Sequence, residues 1–221
     1  ILLDYHSPGL TQSVIDPLFD GLKQQLPSLI GKAVKQQQSA LPPEGPFPVD
    51  LQMQLCQQVM SVLGFDHQKG RLDTSHHPFC GGTARDVRIT TRYDIKQFSS
   101  SLMGVCHETG HALYEQQLPE SWLSQPVGRA YGMAVHESQS LFVEMQLCRS
   151  DAFLTFLAQQ LRQTFGDQPA FDEANLIRLY RQVQPGLIRV YADELTYPMH
   201  VILRYEIERD LFAGEIAMSD L

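Results

Sequence analysis

His107-Glu108-Thr109-Gly110-His111 fits the pattern H-E-x-x-H. Leu102, Met103 and Val105 precede it, and Ala112 and Leu113 follow. These flanks predict a largely buried helix within Ile95 to Gln117, with Pro119 marking its end. Residues four apart on a helix lie one turn up on the same face, so both imidazoles can reach one ion. Glu108 is turned about 100° from His107, beside the ion rather than on it. There its carboxylate can take a proton from an activated water and later pass it to a leaving amine. The competing reading is a surface helix with two ordinary histidines. Buried ionisable groups without partners are costly, and a metal is a good reason to tolerate them.

A catalytic zinc needs three protein ligands and one open position. Glu137 is the best candidate for the third, 26 residues after His111 and beyond a loop containing Pro119, Pro126, Gly128 and Gly132. That length lets the next helix fold back against the first. Spacing alone leaves Glu144, Asp94 and His136 as alternatives, and a salt bridge or solvent exposure as the ordinary fate of Glu137.

Around this centre the chain reads as mainly helical. Helical spacing runs through residues 10 to 40, where Pro17 and Pro27 bend or interrupt it. It returns from Val49 to Leu63, stopped by Gly64, then from Met133 to Ser150, Asp151 to Phe165, Asp172 to Val183 and Thr196 to Phe212. Arg71 to Ser75 and Asp86 to Tyr93 are rich in Thr, Ile, Val and Tyr and read as strands. His77 to Gly82 reads as the turn between them, so a hairpin and a small antiparallel sheet are expected. Val87, Ile89 and Thr91 would share one face, with Arg88, Thr90 and Arg92 on the other. The length of 221 residues suits one domain, 1–221.

Bulk properties exclude other classes. A formal net charge of −8 without a Lys/Arg-dense block repels phosphate backbones, which argues against nucleic acid as a partner. No apolar run approaches the roughly 20 residues of a membrane span. Cys56, Cys80, Cys106 and Cys148 form no C-x-x-C pair and read as free thiols. With no signal-like segment, a cytoplasmic location is expected, although the sequence opens on Ile1 rather than Met.

Five segments in order then carry a resemblance. They are His77-Pro78-Phe79; Asp86-Val87-Arg88-Ile89-Thr90; His107 to His111; His136-Glu137-Ser138-Gln139; and Ile188-Arg189-Val190-Tyr191-Ala192-Asp193-Glu194. They resemble the HPF, DxRxT, HExxH, HESQ and IRxxADE signatures of the M32 metallocarboxypeptidases, the carboxypeptidase Taq group. The resemblance implies a mainly α, zincin-like metallopeptidase core with a small sheet beside the metal. It implies Glu137 as third ligand, one zinc per chain with cobalt as the alternative ion, and a homodimer. It also implies removal of single residues from peptides with a free C-terminus. Members of the family are longer, so the chain is expected to be a partial domain lacking N- and C-terminal parts.

An exopeptidase needs a cation for the terminal carboxylate, and a guanidinium suits it. Arg189, in the IRxxADE segment, is the first choice and Arg88 the second; pairing with Asp193 or Glu194, and with Asp86, are their ordinary alternatives. His77 is a candidate hydrogen-bond donor to the tetrahedral intermediate. Asp193, Glu194 and His136 are candidates to orient the ligands from behind; Asp193 and Glu194 could instead cap the helix near Thr196. Cys106 reads as packing. Two other functions fit parts of the pattern: a zinc aminopeptidase or endopeptidase, and a catalytically silent helical protein that keeps a metal for stability.

Overall fold

The seven stretches of helical spacing, with a short added helix before them, become eight α-helices among the described residues of the computed structural model, which describes residues 2–220. They are α1 (Leu2–His6), α2 (Gln12–Gln36), α3 (Val49–Leu63), α4 (Ser99–Gln116), α5 (Gly132–Leu141), α6 (Asp151–Phe165), α7 (Glu173–Tyr180) and α8 (Tyr197–Ala213). Strands β1 (Gly70–Thr74), β2 (Phe79–Thr83) and β3 (Asp86–Thr91) lie between α3 and α4. Contacts divide the chain into two compact units: Ile1–Gly9 with Ala40–Tyr180, and Leu10–Ser39 with Arg181–Leu221.

Helix ends follow local chemistry. Gly64 closes α3 in the left-handed region, at φ 100°, where a side chain would be strained. Ser150 caps α6 by accepting the Phe153 N–H through its hydroxyl at 3.2 Å. In the second unit α2 runs unbroken through Pro17 and Pro27. There α2 packs on α8, with the Phe19 and Tyr205 rings 5.1 Å apart and the Tyr205 hydroxyl donating to Asp16 at 2.7 Å.

The sheet departs from the expected antiparallel hairpin. It is mixed, in the order β1-β3-β2. β1 runs parallel to β3, with Gly70 opposite Val87 and Thr74 opposite Thr91. The segment expected to be the turn supplies β2, antiparallel to β3, with Phe79 opposite Thr90 and Thr83 opposite Asp86. Gly81-Gly82 reads as a turn because glycine is rare in strands, but glycine also marks places where backbones meet closely. A Cβ at Gly82 would lie 2.1 Å from the Asp86 carbonyl oxygen, and one at Gly70 would lie 2.1 Å from that of Val87. Small residues on both flanks thus let β3 be gripped between two neighbours. Val87, Ile89 and Thr91 are buried as their alternation predicts, and Arg88 is exposed; Thr90, expected on the outer face, is buried too.

In the first unit α4 is the central element. It packs on β3, α3 and α5. Leu102, Val105 and Cys106 of α4 join a core with Leu55, Val59 and Met60 of α3, and with Leu154, Leu157 and Leu161 of α6. The next predicted helix, Met133 to Ser150, is only partly one element. After Leu141 the winding loosens into a π-turn, Phe142–Leu147.

The α4–α5 contact is closest at Gly110. A Cβ there would meet the Ser140 Cα at 2.6 Å and the Gln139 carbonyl oxygen at 2.7 Å. Both are backbone atoms, which cannot swing aside. In an open helix Gly→Ala stabilises by about 1 kcal/mol. Gly110→Ala is expected to do the reverse and cost about 1–3 kcal/mol through overpacking. Urea unfolding measures the sign, and a more stable variant would contradict the contact.

Candidate metal centre

His107 and His111 project from one face of α4, their ring centroids 5.0 Å apart and nearly perpendicular at 82°. The approach of α5 at Gly110 brings Glu137 to them. Its Oε2 lies 3.3 Å from His111 Nε2 and 3.7 Å from His107 Nε2. One donor atom from each of the three residues can be chosen so that all lie within 4.8 Å of one another. The Ser140 hydroxyl donates to the Glu137 carbonyl at 2.8 Å, tying the backbone behind the carboxylate.

Each ring is held from the far side. His107 Nδ1 lies 3.0 Å from Glu144 Oε2, so the acceptor-only carboxylate receives its proton. The other oxygen of Glu144 accepts from Arg149 Nη2 at 3.3 Å, and Arg149 Nη1 donates to the Tyr180 carbonyl at 3.3 Å. Glu144 stands on the π-turn, a local widening that often marks functional sites. His111 Nδ1 lies 2.7 Å from His136 Nδ1, and His136 Nε2 lies 2.8 Å from Glu115 Oε1.

The centre is rich in negative charge. Glu108, 8% exposed, has its pKa raised. Burial is the main cause; Glu137 and Glu144 add to it, against the pull of His107 and His111. For His107, burial works to lower the pKa, but the Glu144 hydrogen bond and the fields of Glu144, Glu137 and Glu108 outweigh it and leave it raised. A cation held among three carboxylates and two imidazoles would offset the crowded negative charge. Two imidazole nitrogens and one carboxylate are a donor set that suits zinc or a similar divalent ion, with ligand number to spare for water or substrate.

A family model for the carboxypeptidase Taq (M32) metallopeptidases matches residues 1–221. The chain belongs to this family. It is 39% identical to carboxypeptidase 1 of Bacillus subtilis, over 100% of the chain and 45% of that relative. It is 38% identical to thermostable carboxypeptidase 1 of Thermus thermophilus, over 100% of the chain and 44% of that relative. Metallocarboxypeptidase 1 of Trypanosoma cruzi superposes with a TM-score of 0.94 at 51% identity, over 97% of this chain and 44% of its own. The chain therefore spans less than half the length of the relatives it matches.

The other M32 signature residues have varied surroundings. Arg88 is exposed and forked onto Asp86, with Nη2 donating at 2.8 Å and Nε at 3.1 Å, the pairing foreseen as its ordinary alternative. His77 is exposed, and its carbonyl accepts from Thr90 Oγ1 and Ser75 Oγ, each at 3.0 Å. Arg189, Asp193 and Glu194 belong to the second unit. Arg189 lies over the Tyr197 ring, 5.8 Å from its centroid, and donates to its hydroxyl at 3.2 Å. Asp193 Oδ1 accepts the N–H groups of Leu195 and Thr196 at 3.0 and 3.1 Å. Its Oδ2 accepts from the Thr196 hydroxyl at 2.8 Å and the Gln184 N–H at 2.9 Å, so this carboxylate organises the turn before α8. Glu194 is exposed.

Two supporting residues were less visible in the sequence. Spacing alone makes Glu144 a rival ligand, yet it contacts the back of His107. Glu115 belongs to none of the five signature segments, although it lies four residues after His111, on the same helix face. Glu144→Gln keeps the size of the side chain but removes the charge that holds His107. It is expected to weaken zinc binding by about 10–100-fold, as loss of such partners generally does. Competition with a chromophoric chelator measures this, and unchanged affinity would remove Glu144 from the centre.

Proposed function

We propose that the chain carries the catalytic metal centre of a carboxypeptidase that removes single residues from peptide C-termini. The observation that carries this reading is the convergence of His107, His111 and Glu137 donor atoms within 4.8 Å in an M32 chain. In it, His107, His111 and Glu137 hold one zinc ion, with cobalt as the alternative. Bound there, the metal would supply a Lewis acid that polarises the scissile carbonyl and acidifies water.

The chain's own residues do the rest. Glu108 follows His107 on α4, and its side chain is buried. It receives the proton of the attacking water and returns it to the departing amine. Arg189 is retained ahead of Arg88 for the terminal carboxylate, because the Arg88 guanidinium is already forked onto Asp86. His77 stands as a further polar group toward the tetrahedral intermediate. A structural zinc would need a fourth protein ligand. His136, the nearest candidate, has both ring nitrogens engaged, which disfavours that reading. The same proposal takes in a homodimer, on family resemblance, and a reducing cytoplasmic setting, on four free thiols.

Mass spectrometry of an unblocked peptide incubated with the zinc-loaded full-length protein tests this. Stepwise loss from the C-terminus is expected. Glu108→Gln should slow it by at least about a hundredfold while retaining one zinc. Cleavage inside the peptide, or undiminished turnover by the variant, would refute the reading.

A further inference from the structure

The two histidines of the centre are supported differently, and the difference fixes where protons must sit. For a ring to offer Nε2 to a metal as a neutral imidazole, its proton must be on Nδ1. At His107 that proton meets a carboxylate, Glu144, which can only accept. At His111 it meets another imidazole nitrogen, His136 Nδ1, at 2.7 Å. Two N–H groups cannot face each other at that distance, so His136 Nδ1 must be bare and its proton must be on Nε2. That nitrogen lies 2.8 Å from Glu115 Oε1, an acceptor.

We propose that Glu115 and His136 form a tautomer-setting relay. Glu115 holds the His136 proton on Nε2, which leaves Nδ1 to accept from His111 and keeps His111 Nε2 free for the metal. Both are positioning residues, and the inference rests on the metal-centre reading above. Four further observations support it. The His111 and His136 rings lie 4.7 Å apart, and Tyr114 packs edge-on against His136 at 5.2 Å. The Tyr114 hydroxyl accepts the Tyr131 N–H at 2.9 Å, so the ring that braces His136 is itself tethered. The side chains are well enclosed, 16% exposed for His136 and 27% for Glu115, so water competes poorly for these nitrogens.

The relay also has a mechanical consequence. His111 and Glu115 are one turn apart on α4, while His136 adjoins Glu137 on α5. The imidazole is therefore clasped between two residues of α4, and the clasp sets the height at which α5 presents Glu137. Glu115 sits at the i+4 position from His111, which puts both on one face of α4.

The test is a double-mutant cycle in zinc affinity on the full-length protein, read by competition with a chromophoric chelator. Asn in place of His136 puts a carbonyl oxygen near the position of Nδ1, an acceptor with no tautomer to set. Glu115→Ala alone should weaken zinc by about 10–100-fold. In the His136→Asn background the same change should cost nothing further. Equal losses in both backgrounds, or none in the unsubstituted one, overturn the relay. Long-range ¹H–¹⁵N spectra of the zinc-loaded, unsubstituted protein give an independent reading, since folding of variants does not enter. His136 should show its proton on Nε2; a proton on Nδ1 overturns the relay. Failure of the underlying reading looks different. Zinc bound as tightly by His111→Ala, or not bound by the unsubstituted protein, removes the metal centre and the relay with it. Zinc lost in His111→Ala but unaffected by Glu115→Ala sinks the relay alone.

Discussion

The close approach of α5 to α4 at Gly110 is the contact on which the centre depends, because it decides whether Glu137 can reach the two histidines. A methyl group at that position would need space already held by the backbone of Gln139 and Ser140. Glycine in a helix interior weakens it by roughly 1 kcal/mol relative to alanine. Here that weakness is offset by burial of α4 against β3, α3 and α5. The helix carrying the two histidines is thus well packed within its unit, with Val105, Cys106, Thr109 and Ala112 fully enclosed. Rigid placement of ligands on packed helices is what a metal site of defined geometry requires.

Charge is the second constraint. Glu108, Glu137 and Glu144 surround His107, and their fields raise its pKa against the effect of burial. Such an arrangement is poorly balanced as a purely structural cluster and well balanced around a divalent cation. The supports behind the two imidazoles are unequal. His107 rests on a carboxylate that is steadied in turn by Arg149, whereas His111 rests on an imidazole whose far nitrogen meets Glu115. The first support comes from a π-turn and the second from the ordinary helical part of α5 together with α4. Geometry on both sides therefore follows from how the segment after Gly132 is wound.

Much of this was legible in the sequence because its signals are local. The H-E-x-x-H spacing fixes a helical face, the alternation through Val87, Ile89 and Thr91 fixes a buried strand face, and Gly64 ends α3 where expected. What escaped depends on non-local partners. The pairing of β1 with β3 as parallel neighbours follows from β2 filling the far side of β3, and nothing within Arg71 to Ser75 encodes direction. Gly81-Gly82 supports a turn as well as a tight strand crossing, and only the position of Asp86 decides between them. The π-turn arises inside an unbroken helical pattern. Glu115 and Glu144 are unremarkable acidic residues until the helices pack and bring them to the backs of the rings. The resemblance to the M32 signatures favours Glu137 over Glu144 as the candidate third ligand; in the packed helices Glu137 Oε2 faces both Nε2 atoms and Glu144 contacts His107 Nδ1.

The most direct measurement of the central claim is zinc content per chain after exhaustive dialysis, by plasma mass spectrometry, for the full-length protein and for His107→Ala, His111→Ala and Glu137→Ala. One equivalent in the unsubstituted protein, falling well below one in each variant, is the predicted result. One equivalent retained by all three variants would place the metal elsewhere and contradict the assignment of the centre.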